Sequence, residues 1–121
     1  MPPLKQKTPE QAMASLMRLA SRAEKSSGDA RRLMRGWGVA QEDAEKVLAE
    51  LMELRFIDDT RYAAAYVREK MRASGWGARK IASALAAKGV ARATIEAALE
   101  QYLDPEAQGT RLEKLLERRL P

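Results

Sequence analysis

The residues here whose types and spacing could do chemistry are cations. Arg31, Arg32 and Arg35 crowd one short stretch, Arg79, Lys80 and Lys88 follow about one structural unit later, and Arg68, Lys70 and Arg72 lead into them. Their chemistry is anion capture: a guanidinium fork meets a carboxylate or a phosphate with two parallel bonds, and an ammonium meets either as a point charge. Residue type alone leaves a protein partner and a nucleic-acid backbone both open. Trp37 and Trp76 each stand beside glycines and next to a basic cluster, where an indole can plug a helix junction or touch a partner. Asp58 and Asp59 are adjacent carboxylates, but no third carboxylate or histidine stands at ligand spacing, and a hard cation takes about six to eight oxygens. No metal and no cofactor is expected.

The same inventory argues against catalysis. The 121 residues include no histidine, no cysteine, no G-x-x-x-x-G-K phosphate loop and no serine in a nucleophile-elbow setting. Acid-base work would fall to exposed carboxylates without a partner, so the chain reads as a non-enzyme. The lack of cysteine removes disulfides and thiolate zinc sites and suits a reducing compartment. Met1-Pro2-Pro3-Leu4-Lys5 has no apolar core of signal-peptide length. No apolar run nears the ~20 residues of a membrane span, and a cytoplasmic location is expected.

Lysine and arginine total 22 against 17 acids, and the net +5 conceals blocks: +5 over residues 1–35, −5 over 36–60, +7 over 61–92 and −2 over 93–121. One block alone can be ordinary surface, screened over ~8 to 10 Å. Two basic blocks a repeat apart would lie on equivalent faces of successive units, which favours an extended anionic partner.

Helices must position these groups. Thr8-Pro9-Glu10-Gln11 reads as an N-cap, a first-position proline and the far side of a capping box. It opens a helix to about residue 24 whose apolar face is Ala12, Met13, Leu16, Met17 and Ala20. Ser26 or Ser27 caps a shorter second helix with Ala30, Leu33 and Met34, which Gly36 and Gly38 end. A third, over residues 41–55, buries Val47, Leu48, Leu51 and Met52. Asp58 or Asp59 caps a fourth with Tyr62, Ala63, Tyr66, Val67 and Met71 inward, stopped by Gly75-Trp76-Gly77. The fifth (78–88) buries Ile81, Ala84 and Leu85, and the sixth (92–103) buries Ile95, Ala98, Leu99 and Tyr102. A last helix opens at Thr110 with Leu112, Leu115, Leu116 and Leu120. No segment alternates with the period of a strand, and the fold class is all-α.

A shift of 51 residues lays Gly38-Val39-Ala40 on Gly89-Val90-Ala91, Leu16 on Val67, Met34 on Leu85 and Leu48 on Leu99. The expected organisation is a disordered tail over 1–7, three-helix units over 8–57 and 58–104, and the first helix of a third unit over 105–121. Such tandem, helix-turn-helix-like units share apolar faces with their neighbours. They predict an elongated array that can curve, and a monomer.

From Phe56-Ile57-Asp58-Asp59-Thr60-Arg61-Tyr62 to Tyr66-Val67 the sequence resembles the RecX family of recombinase regulators, whose second repeat opens with this phrase. The likeness continues through Gly75-Trp76-Gly77-Ala78-Arg79-Lys80-Ile81, Leu85 and Lys88-Gly89-Val90. The resemblance implies a protein that binds the RecA recombinase, lies in the groove of its filament on DNA, and inhibits recombination and SOS induction, with weak direct binding to DNA. The family completes a third repeat where this sequence ends after one helix of it, so a shorter reach along the filament is expected. As chemistry, the Phe-Ile-Asp-Asp phrase reads as architecture, two apolar anchors followed by helix-capping carboxylates. The residues alone also support a rival, a tandem helix-turn-helix-like DNA-binding regulator acting through phosphate contacts.

Overall fold

The computed structural model describes residues 6–103; the helix expected after Thr110 lies outside them. Local capping decides where the helices start. α1 (Pro9–Arg22) opens on a full capping box: the Gln11 N–H donates to Thr8 Oγ1 at 3.1 Å and the Thr8 N–H to Gln11 Oε1 at 3.0 Å. α2 (Ser27–Gly36) is capped by Ser26, which exchanges the same pair of bonds with Asp29 at 3.0 and 3.2 Å. α3 spans Gln41–Glu53. α4 (Asp59–Glu69) is capped by Asp58, whose Oδ1 accepts the Arg61 N–H at 3.1 Å. It runs on into a π-helical turn, Lys70–Ser74, which Gly75 stops at φ +65°. α5 (Ala78–Ala87) and α6 (Arg92–Leu103) complete an all-helical chain, with no strand among the described residues.

The repeat is visible in backbone geometry. After α2 and after α5 the chain turns through a left-handed glycine, Gly38 at φ +80° and Gly89 at φ +85°. The amide three residues past each helix then folds back: Val39 N–H reaches Met34 O at 3.0 Å, and Val90 N–H reaches Leu85 O at 3.2 Å. Glycine adopts this conformation without the penalty a side chain would bring. α3 ends two residues short of the expected 55 because Arg55 takes φ +69°, which lets the Phe56 N–H reach Leu51 O at 2.9 Å. A non-glycine residue there costs about 1 to 2 kcal/mol.

Two hydrophobic cores form, and their members correspond. α3 packs on α1 and α2 around Ala12, Leu16, Ala30, Met34, Val39, Ala44 and Val47. α6 packs on α4 and α5 around Ala63, Val67, Ile81, Leu85, Val90, Ile95 and Ala98, each 51 positions after its counterpart. Bulk is exchanged between counterparts: Ala30 and Ala44 in the first core become Ile81 and Ile95 in the second, while Leu16 and Val47 become Val67 and Ala98. Met52, expected in the stripe of α3, is 43% exposed. Ala44, Val47, Leu48 and Leu51 already complete that helix's inward face, and Met52 falls on its flank.

The units are joined by hydrogen bonds and by close backbone contact. Ser26 Oγ donates to the Lys88 carbonyl at 2.7 Å, while Asp59 receives the Ser27 N–H at 2.7 Å and the Ser27 hydroxyl at 2.6 Å. Gly28 lies against Lys88 and Gly89 so tightly that a Cβ on Gly28 would stand 2.0 Å from the Lys88 carbonyl oxygen. Arg61 closes the joint, its Nε donating to Glu24 at 2.7 Å and its Nη2 to the Arg55 carbonyl at 3.1 Å.

Candidate partner-binding surface

The Phe-Ile-Asp-Asp phrase forms the hinge between the units. Ile57 is buried in the first core with Phe56 packed against it, Asp58 caps α4, Asp59 grips the start of α2, and Arg61 bridges to Glu24 just past the end of α1. Tyr62 then enters the second core and stacks on Tyr66, ring centroids 5.9 Å apart. Burial pushes the Tyr62 hydroxyl up to about 12. Both aspartates are thus occupied by backbone amides and hydroxyls of the chain itself.

The cations divide into two groups with different electrostatics. On α2, Arg31 makes a two-pronged pair with Glu45 of α3, Nε to Oε2 at 2.8 Å and Nη2 to Oε1 at 3.1 Å. That hydrogen-bonded pair raises the Arg31 pKa and lowers that of Glu45. Arg32 meets Asp29 at 3.1 Å. Arg35 is exposed and lines, with Arg31, Val39, Gln41 and Ala44, a groove between α2 and α3.

In the second unit Arg68, Lys70 and Lys80 meet aromatic rings. Lys80 Nζ stands 4.4 Å from the Trp76 ring centroid, and Lys70 Nζ stands 4.7 Å from the same ring and 5.3 Å from Tyr66. Tyr66 meets Trp76 edge-on at 6.5 Å. Arg68 donates to the Tyr102 hydroxyl at 2.7 Å and lies over that ring. Arg72 and Arg79 are exposed. Lys88 contributes its carbonyl to the joint, and its residue lines a groove between the units with Tyr62, Tyr66, Lys70 and Glu24.

The two basic clusters lie on the middle helix of each unit, α2 and α5, but not at matching positions. With the 51-residue register, Arg79 and Lys80 correspond to Gly28 and Asp29, whereas Arg31, Arg32 and Arg35 correspond to Ala82, Ser83 and Ala86. The reason is the joint: the start of α2 is pressed against the second unit and has no room for long cations, while the start of α5 is exposed. The tryptophans are likewise not counterparts, since Trp37 aligns with Lys88 and Trp76 with Lys25. Trp37 packs on the first core, takes the Lys7 N–H on its carbonyl at 3.0 Å and has Lys7 Nζ 5.0 Å from its ring. Lys7 is therefore pinned, although it was expected within a disordered tail. Sequence reading missed this contact and the Arg68–Tyr102 pair, which span 30 and 34 positions and leave no local pattern.

A family model described as the second three-helix domain of RecX matches residues 58–99, the segment that builds the second core and both of its lysine–indole contacts. The chain belongs to the RecX family. The regulatory protein RecX of Streptomyces coelicolor is 32% identical over 111 residues, covering 92% of this chain and 58% of that protein. The one from Enterococcus faecalis is 38% identical over 64 residues, 53% of this chain and 24% of that protein. The crystal structure of RecX from Lactobacillus salivarius has the same fold, with a TM-score of 0.74 at 24% identity over 92% of this chain and 73% of that one. This RecX-family chain thus spans less than two thirds of the curated relatives just named. No described helix is long and apolar enough to cross a membrane.

Proposed function

We propose that this chain is a cytoplasmic, non-enzymatic regulator that binds the RecA recombinase filament on DNA and restrains it, lowering recombination and SOS induction. Its relatives carry the name regulatory protein RecX, and the reading extends that role to this chain. The observation that carries it is the joint. Ser26, Ser27 and Gly28 lock onto Asp59, Lys88 and Gly89, which holds two units, each with cations on its middle helix, at a set spacing suited to a long, regular ligand. Exposed cations on the second unit supply the attraction.

The test is a titration of the chain into a recombinase ATPase or strand-exchange assay on single-stranded DNA. Progressive suppression is expected, with co-sedimentation on the recombinase-coated strand exceeding that on bare DNA at ~150 mM salt, where surface charge is screened. Unchanged rates at saturating chain would overturn the proposal. The rival DNA-binding reading would appear as equal binding to bare DNA with a log-log salt slope of about −0.9 per phosphate contacted. The exposed Arg79 and Lys80, with the half-buried Lys70 beside them, make that comparison worth performing.

A further inference from the structure

The two units begin their middle helices differently. α2 starts among carboxylates: Asp29 exchanges bonds with Ser26, and Asp59, arriving from the following unit, takes the Ser27 amide and hydroxyl. One repeat later the positions of Ser26, Ser27, Gly28 and Asp29 are held by Gly77, Ala78, Arg79 and Lys80. α5 therefore starts with no side-chain cap, no acid in its first turn and two exposed cations. Lys80 and Lys70 converge on one indole, at 4.4 and 4.7 Å from its centroid, and neither has an ion pair among the described residues. A ring face attracts each ammonium by about 0.5 to 1 kcal/mol at an exposed site. That holds the two charges in place without neutralising them.

We infer that Lys70 and Lys80, held over Trp76 beside the start of α5, form a docking site for carboxylate side chains of a protein partner. It lies beside the helix start that corresponds to the one Asp59 holds in the first unit. The inference rests on the filament reading above, under which the carboxylates belong to the filament's protein subunits. The chain's own repeat selects carboxylate over phosphate, because the corresponding helix start is met by a carboxylate in the first unit. The residue one repeat beyond Asp59 is Thr110, so this sequence brings no acid of its own to that register position.

A zero-length carbodiimide joins an ammonium to a carboxylate in contact and does not join it to a phosphodiester. The chain would be bound to a recombinase filament on single-stranded DNA, co-sedimented, treated with carbodiimide, and the linked peptides read by mass spectrometry. Amide links from Lys70 and Lys80 to recombinase Asp or Glu are expected. The K70A/K80A double variant should co-sediment about tenfold more weakly, the effect of losing two exposed ion pairs together, while K70R/K80R keeps its affinity and its fold but loses the links. Links confined to other lysines, or K70A/K80A binding as well as the parent, would overturn the site and leave the filament reading standing. Equal loss on bare single-stranded DNA with no links would identify a phosphate site and overturn the carboxylate assignment. Failure of the parent chain to co-sediment would overturn both.

Discussion

Replacing Gly28 with alanine tests the joint most directly. Alanine is better than glycine in an exposed helix by about 1 kcal/mol, so local propensity predicts a gain. The structure predicts the opposite. The new Cβ would lie 2.0 Å from the Lys88 oxygen and 2.8 Å from the Gly89 Cα, and both are backbone atoms with no rotamer to retreat into. Restoring ordinary contact moves the units apart by about 1 Å or more. A shift of that size takes the Ser26–Lys88 bond at 2.7 Å, and the two Ser27–Asp59 bonds at 2.7 and 2.6 Å, beyond useful range. At about 1 kcal/mol for each of the three, less the helix-propensity gain, roughly 2 kcal/mol is lost. For a chain of this size that lowers the melting temperature by on the order of 10 °C. Thermal and urea unfolding followed by circular dichroism measures it, and the two tryptophans, one in each unit, report whether the units now unfold separately. A G28A protein that melts with its parent would show that the backbones do not approach as described.

Gly36→Ala is the matched control: a Cβ there meets nothing within 4 Å, and a gain of about 0.5 to 1 kcal/mol in urea unfolding is expected. Asp59→Asn keeps the shape but trades a charged acceptor for a neutral amide at Ser27; it should lose about 1 kcal/mol or more and weaken coupling between the units, read as divergence of the two tryptophan transitions. The raised Tyr62 pKa gives a signed pH effect. Its folded value of about 12 exceeds the ordinary value of 10.0, so this contribution is complete below pH ~10 and is lost as pH rises toward ~12. A Tyr62→Phe protein should show a flatter alkaline decline in melting temperature over that window. Charge reversal of Arg79 and Lys80 should weaken filament co-sedimentation more than reversal of Arg31 and Arg32, whose charges already face Asp29 and Glu45; equal losses would contradict the division of the cations into two groups.

Much of the fold was legible because its signals are local. The Thr8–Gln11 box, the left-handed glycines and the 51-residue register each depend on residues within a few positions or on simple self-comparison. Partnerships across turns were not legible. Arg31 finds Glu45 fourteen positions away, and Ser27 finds Asp59 thirty-two away, through packing that no short window encodes. For the same reason, the choice between Ser26 and Ser27, or between Asp58 and Asp59, as the cap could not be read locally. Asp58 caps α4 while Asp59 serves the joint, and Ser26 caps α2 and reaches Lys88 while Ser27 serves the joint alone, a division that depends on the neighbouring unit. One signal was available in the sequence: aligning the repeat places Gly28 opposite Arg79, which already announces that the two helix starts live in different surroundings.

That mismatch gives the two units a polarity. A second copy could extend the stack only by offering its own α5 start to the Trp37–Gly38 turn, as α2 offers its start to Lys88 and Gly89. Arg79 would then fall where the existing seam tolerates no Cβ at all, and Gln6 and Lys7 already lie across that turn. The seam between the two described units therefore cannot be repeated unchanged from α5.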